Sequence, residues 1–431
     1  MYRKIMSFLD EWKADPHRKP LILQGARQVG KTYSILEFGR SRYENVAYFN
    51  FESNPRLVET FAESLSPSYL LPILSHITGQ TIVKGKTLIV LDEIQLCERA
   101  LTALKYFCEE ANEYHIIAAG SLLGVAVNRG RYSFPVGKVN MKTMYPMDYE
   151  EFLIAAGREE LASRIRDCFE KNTEMPAAFH ESALELYRSY LLVGGMPECV
   201  SQFVETGDYL LVRNTQNTIL MGYLSDMSKY NGAVEIRKTR LVYDNVTVQL
   251  SKKNTRFQYK LVKKGGRASE FENAIEWLCL SGIVSRVYRA EQVMKPLENY
   301  RDIDAFKIYV SDTGLMCAKK ELRPGDVLYG SDELNDFKGG MTENYVYTQL
   351  AANGRSAYYW ESEHSAEVDF IIEREGLVIP LEVKAAENTR SRSLRVYMDA
   401  YAPEYAIRLS GKNFGMEGGI KSVPLYAAFC I

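Results

Sequence analysis

The sequence predicts an α/β protein of several parts: a parallel-sheet domain, a largely helical middle, and a second α/β domain toward the C-terminal end. Three observations carry that expectation. From residue 20 to about 150, short apolar strands alternate with amphipathic helical stretches, the pattern of a parallel sheet covered by helices. Within that alternation GARQVGKT has the spacing G-x-x-x-x-G-K-[ST], the signature of a phosphate-cradling turn. The length of 431 residues also exceeds one core at ~150 residues per domain.

Composition narrows the class. Hydrophobic residues are 46% and charged residues 25%, ordinary for a soluble globular chain and wrong for a disordered, collagen-like or coiled-coil one. Lys plus Arg is 53 against 55 for Asp plus Glu, a net charge of −2, so a polyanion-binding role can rest only on a local patch. The seven cysteines are odd in number and form no C-x-x-C, and the five histidines are dispersed. That excludes a disulfide framework and a zinc ribbon. The most apolar run, Ile116 to Val127, falls short of the ~20 residues of a membrane span. Asp10 and Glu11 interrupt any apolar leader. A reduced, cytoplasmic protein without membrane partners is expected.

Strands are expected at 20–24, 46–51, 87–91, 115–119 and 138–144. Residues 97–112 read as a helix with Leu101, Leu104 and Phe107 on one face. From 147 to about 230 helical periodicity dominates, broken at VGGMPE (193–198) by Gly194, Gly195 and Pro197. Residues 232–290 read as helices, a basic stretch and a short strand pair, the size of a winged-helix unit. A helix at 336–353 then leads into strands 358–360, 367–372 and 378–384. The expected domains are 1–150, 151–230 (a helical lid or linker), 231–300 and 301–431.

The first motif comprises Gly25, Ala26, Arg27, Gln28, Val29, Gly30, Lys31 and Thr32, between a strand and a helical stretch. Its glycines let the backbone N–H groups converge on phosphate oxygens, and the following helix adds the positive end of its dipole. Lys31 would then reach the β- and γ-phosphates of ATP, with the Thr32 hydroxyl a ligand of Mg²⁺. TLIVLDEIQ follows, where a buried apolar strand ends in two carboxylates. Asp92 is expected to hold Mg²⁺ through water, and Glu93 to orient or deprotonate the attacking water. HIIAAGS ends at Ser121, placed to sense the γ-phosphate.

The succession GARQVGKT, LIVLDEIQ, AAGSLLG resembles the AAA-type ATPases of a prokaryotic family with an uncharacterised C-terminal domain. The resemblance extends through YPMDYEEF (145–152), GGMPE (194–198) and FKGGMTENYV (337–346). It implies a nucleotide-binding core with strand order near 5-1-4-3-2. Many relatives carry an arginine before the YP motif; here Lys138 stands there, with Arg129 and Arg131 just upstream. The residue serving as an arginine finger is therefore left open.

Between 237 and 267 ten basic residues meet one acid, Asp244, with Tyr243, Phe257 and Tyr259 interleaved. A winged helix-turn-helix uses such residues to neutralise phosphates, which makes Lys252, Lys253, Lys263 and Lys264 candidate DNA contacts. Glu270, Glu272 and Glu276 on the following helix oppose that role.

A second constellation lies in AEVDFIIEREGLVIPLEVKAA. Glu382 and Lys384 share one face of an apolar strand, and a REG turn can set Asp369 beside them. With Glu343 on the preceding helix the set resembles the PD-(D/E)XK nuclease, or restriction-endonuclease-like, fold. That resemblance implies carboxylates on Mg²⁺ and a lysine orienting water against a phosphodiester. The expected function is an ATP-binding and ATP-hydrolysing AAA-type protein that couples nucleotide state to a DNA-binding or nuclease-like region. The alternatives are a nucleotide-controlled switch holding a protein partner or self-associating, and an ATP-gated metal-dependent DNA endonuclease.

Overall fold

In the computed structural model, residues 122, 124–133, 231, 252–255, 331–334, 364–365 and 386–391 are outside the described residues, as are the side chains of 230, 335 and 336. The rest divides into two compact units, Met1–Tyr145 with Leu280–Gly282, and Pro146–Cys279 with Ile283–Ile431.

Strands of the first unit are β1 (Leu21–Gln24), β2 (Asn45–Asn50), β3 (Thr87–Asp92), β4 (His115–Gly120) and β5 (Asn140–Thr143). They form one five-stranded sheet in the order β2-β3-β4-β1-β5, every pair parallel. This is the 5-1-4-3-2 order that the resemblance implies. Burial explains the arrangement: TLIVLD and HIIAAG are apolar almost throughout and buried along their whole lengths, as inner strands must be. β5 lies at the edge, with Met141 and Lys142 exposed. The helix Glu98–Glu110 buries Leu101, Leu104 and Phe107, the face expected from its periodicity. These join Phe49, Ile89, Leu91 and Ile116 in one apolar cluster. Register then sets the site. Gln24 lies opposite Gly120 and Asn50 opposite Asp92, so the carboxyl ends of β1, β2, β3 and β4 stand side by side.

In the second unit, helices Tyr149–Ala155, Glu159–Lys171, Ala177–Val193, Pro197–Thr206, Tyr209–Tyr230 and Ala233–Leu250 follow one another. Asp148 opens the first of these with a capping box, accepting from the Glu151 N–H at 2.9 Å. The VGGMPE break has a partner. The Gly195 N–H donates to Asp312 Oδ2 at 2.6 Å, and a side chain at Gly194 (φ +73°) would meet that carboxylate at 2.2 Å. Pro197 then starts the next helix in the first-turn position it tolerates.

The second unit's strands are β6 (Val284–Ala290), β7 (Arg301–Val310), β8 (Ala357–Glu361), β9 (Glu367–Arg374), β10 (Leu377–Val383), β11 (Ala406–Ser410), β12 (Gly415–Glu417) and β13 (Ile420–Pro424). They make a mixed eight-stranded sheet, β12-β13-β11-β10-β9-β8-β6-β7. β6 and β7 pair antiparallel, and β6 meets β8 in parallel at Arg289 and Tyr359. The strand pair after the helix Ala268–Leu280 thus shares a sheet with the C-terminal strands, across residue 300. β9 and β10 are joined by Glu375 (φ +52°) and Gly376 (φ +78°), the two left-handed residues of a tight hairpin turn. Among the described residues no helix is long and apolar enough to cross a membrane.

Candidate functional site

In the first unit the loop leaves β1 through Gly25, whose φ of +147° and 2.1 Å approach of an added Cβ to the Met144 carbonyl exclude a side chain. Gly30 (φ +91°) ends it, and the helix Lys31–Arg42 begins there. Arg3 braces the loop from outside the motif, donating to the carbonyl of Val29 at 2.7 Å. Arg27 and Gln28 lie exposed at its tip, while Ala26 and Val29 are buried.

Lys31 is buried, and its Nζ donates to the carbonyls of Gly25 at 2.9 Å and Ala26 at 2.8 Å. Burial pulls its pKa down to about 8, against the raising influence of Glu93 and Asp92. Thr32 Oγ1 donates to Asp92 Oδ2 at 2.9 Å, bringing the helix hydroxyl and the strand carboxylate into contact. The Tyr48 hydroxyl donates to the same oxygen at 2.8 Å. Burial, above all, pushes the Tyr48 phenol up to about 12, so it keeps the proton it donates.

Glu93 leaves β3 in a left-handed conformation, φ +53°. Gln95 Nε2 donates to its Oε2. Burial first, and then the Asp92 charge, raise the Glu93 pKa, opposed by Gln95 and Lys31. Such a carboxyl is a better proton acceptor than an exposed one. Ser121 directly follows β4, half-buried, and β4 lies between β3 and β1. Of the arginine-finger candidates, Arg129 and Arg131 lie outside the described residues, and Lys138 pairs with Glu109 at 2.9 Å on the surface. Tyr48, Gln95 and Arg3 escaped sequence reasoning. Tyr48 had a signal, since it and Asn50 share a face of β2 by strand periodicity.

In the second unit the residues of the later constellation are engaged by neighbouring side chains and backbone. Glu343, on the helix Asn335–Ala352, accepts from Lys307 Nζ at 2.9 Å and from the Tyr309 hydroxyl. Lys307 is wholly buried and also pairs with Glu367. Asp369 Oδ2 accepts the Val383 N–H at 2.7 Å, and Lys384 Nζ pairs with Glu382 Oε1 at 2.6 Å. Extending the β9–β10 register places Asp369 opposite Glu382. Burial, then the Glu343 charge, hold the Asp369 carboxyl well above the ordinary carboxylate range, against Lys307, the Val383 N–H and Lys384. Burial works against the Lys307 charge, yet Glu343, Glu367 and Asp369 carry its pKa above the ordinary lysine value. Lys307 and Tyr309 were not anticipated, although a lysine within the apolar FKIYV carries the same signal that marked Glu382 and Lys384.

Of the basic segment, Lys252 and Lys253 lie outside the described residues. Lys263 pairs with Glu270 at 2.6 Å, and Lys264 is exposed. Arg286 of β6 pairs with Glu272 at 2.6 Å and with Glu276 at 3.6 Å, so the acids of that helix face cations of their own unit.

Residues 17–153 match the family described as AAA domain. This region is similar to AAA domains. Downstream of it, residues 184–326 match a domain of unknown function, DUF8612, and residues 338–428 another, DUF4143. No curated protein matches the chain. Solved structures with which the chain aligns include the Walker-type ATPase of Pyrococcus abyssi (15% identity, TM-score 0.46, 74% of this chain and 95% of that one). The ORC2 protein of Aeropyrum pernix aligns at 11% identity and TM-score 0.33, over 78% and 92%. Cdc6p of Pyrobaculum aerophilum aligns at 15% and 0.25, over 74% and 93%. All three scores lie under 0.5, and nothing about this chain's function is taken from them.

Proposed function

We propose that this chain binds and hydrolyses ATP at the AAA-type domain and couples nucleotide state to a DNA-binding or nuclease-like C-terminal region. The observation that carries the first half is the contact of Thr32 with Asp92 beside Lys31 and Glu93. A hydroxyl next to a carboxylate is the oxygen donor set that suits Mg²⁺, so Thr32 and Asp92 would hold that ion. Bound there, Mg²⁺ would supply charge neutralisation to the phosphates.

The chain's own residues do the rest. The N–H groups of residues 25–32 receive the phosphates at the positive end of the helix Lys31–Arg42. Lys31 exchanges two carbonyl partners for phosphate oxygens, a stronger, charge-assisted contact. Tyr48 keeps Asp92 oriented through the Oδ2 contact. Glu93, freed from Gln95, takes up the proton of the attacking water at its carboxylate. Ser121, at the carboxyl end of β4, would read the γ-phosphate.

The coupling reading rests on the neighbourhood of Glu343, Asp369, Glu382 and Lys384 and on the exposed basic residues around Lys264. A nucleotide-controlled protein-binding switch is favoured by a different observation, the pairing of Lys263 with Glu270 and of Arg286 with Glu272. These pairs mute the face that DNA would contact. The discriminating experiment is the ATPase rate with and without Mg²⁺, duplex DNA and single-stranded DNA. Stimulation by DNA supports the coupling; a rate indifferent to DNA supports the switch. Where duplex DNA binds, replacing Lys252, Lys253, Lys263 and Lys264 by alanine should reduce the log–log salt slope by about 0.9 per lost phosphate contact.

A further inference from the structure

The C-terminal pocket has no room in its charge pattern for the divalent ion that a PD-(D/E)XK-like reading calls for. Among the described residues no three Asp, Glu, His or Cys side chains come together as a metal-holding group. The carboxylates are engaged by cations and donors of the chain itself. Lys307 reaches in from β7, with no exposed surface, and its ammonium bridges Glu343 of the helix and Glu367 at the start of β9. It also stands over the Tyr359 ring, 5.0 Å from the centroid, which offers a cation a further favourable face. The Tyr309 hydroxyl occupies the same Glu343 oxygen. On the strand side Lys384 engages Glu382 at 2.6 Å, and the Val383 N–H engages Asp369. Glu382 Oε2 is buried without a partner. Ammoniums thus already stand against Glu343, Glu367 and Glu382, where a divalent ion would need about six oxygen ligands of its own.

We propose that the Lys307 ammonium is the resident cation of this pocket, taking by covalent attachment the place of a divalent ion between Glu343 and the strand carboxylates. The cluster is then a metal-independent, ion-paired centre and not a phosphodiester-cleaving one. The inference rests on the reading that Glu343, Asp369 and Glu382 form one pocket. An ammonium is monovalent and cannot polarise a water as a divalent ion does, so the pocket lacks the means to generate a hydroxide. It does neutralise buried carboxylates that would otherwise repel one another.

The test is Mn²⁺ binding to the nucleotide-free full chain, followed by calorimetry and by the thermal midpoint. Wild-type protein should show no Mn²⁺ binding that depends on Asp369, and no nuclease activity in Mn²⁺ or Mg²⁺. Lys307→Ala removes the ammonium, opens space and leaves the carboxylates uncompensated. It should gain one Mn²⁺ site and a raised midpoint with the ion, both lost again in Lys307→Ala/Asp369→Asn. Should Lys307→Ala not fold, Lys307→Ala/Glu367→Gln removes the lysine with one of its partners and keeps Glu343, Asp369 and Glu382 for the same measurement. Wild-type binding of Mn²⁺ abolished by Asp369→Asn would overturn the proposal while leaving the single pocket intact. Absence of a site in every Lys307 variant would mean that the carboxylates do not share a position, and the pocket reading falls with the proposal.

Discussion

Among the described residues two lysines lie buried beside carboxylates, one in each unit, and they are held by opposite kinds of partner. Lys31 donates to two backbone carbonyls, which are neutral and easily exchanged for an incoming anion. Its charge is uncomfortable there, and burial takes the pKa down to about 8. Lys307 is committed to Glu343 and Glu367, and its pKa goes the other way. The carboxylates differ to match. Asp92 and Glu93 are oriented by Thr32, Tyr48 and Gln95, all uncharged donors, whereas Glu343, Glu367 and Glu382 are matched by ammoniums. A site that awaits a charged ligand leaves its own charges uncompensated; a site that compensates them internally has little left to offer one.

That contrast can be broken by experiment. The largest effect should come from Lys31→Ala, which removes the only ammonium of the phosphate loop and is expected to abolish ATP binding in a fluorescent-nucleotide titration. Next is a matched pair read by chemical denaturation. Lys307→Met strands paired buried carboxylates and should cost about 3–5 kcal/mol, whereas Lys31→Met should cost only about 1 kcal/mol, because its hydrogen-bond partners are neutral carbonyls and Asp92 and Glu93 lose only an unbonded counter-charge. Equal costs would erase the distinction between the two lysines.

The pH dependence sharpens the same point. Lys31 is depressed in the folded state, so the unfolded chain binds more protons between about 8 and the ordinary lysine value, and its contribution to stability rises with pH across that window. Lys307 is raised, so its contribution is full below the ordinary lysine pKa and is lost only as pH climbs through the still higher folded value. For function, ATP prefers charged Lys31, and its affinity should fall by roughly tenfold per pH unit above 8. A flat affinity from pH 7 to 9.5 would contradict that placement. The smallest effect is Tyr48→Phe, which deletes one hydroxyl from Asp92 and should slow turnover by a few-fold, about 1 kcal/mol, with binding largely kept.

How much of this was legible beforehand depended on whether chemistry fixes a spacing. The loop from Gly25 to Thr32, and Asp92 and Glu93 at a strand end, obey a local rule that a linear reading can find. The parallel sheet followed from the runs TLIVLD and HIIAAG, because inner strands need apolar residues on both faces. Gln95 was invisible because its role arises from the turn after Glu93, and Tyr48 had only a weak periodicity signal, because its role arises from β2 lying against β3. Lys307 is a nearer miss. It stands in FKIYV, and a charge inside an apolar strand demands a partner wherever it occurs. The partners are distant in sequence, however, and only the contacts of Lys307 with Glu343 on the helix Asn335–Ala352 and Glu367 of β9 reveal them. Similarly, the expected boundary near residue 300 reflected a change of pattern, whereas the sheet continues from β6 to β8 across it.

The most direct test of the central claim is single-turnover ATP hydrolysis by wild type and Glu93→Gln at equal nucleotide loading in Mg²⁺. Glu93 combines a raised proton affinity, a position at the strand end and a releasable partner in Gln95. Wild type should turn over, and Glu93→Gln should bind ATP normally while hydrolysing it some 10²-fold or more slowly, the size of a lost general base. Hydrolysis by Glu93→Gln at the wild-type rate would contradict the account.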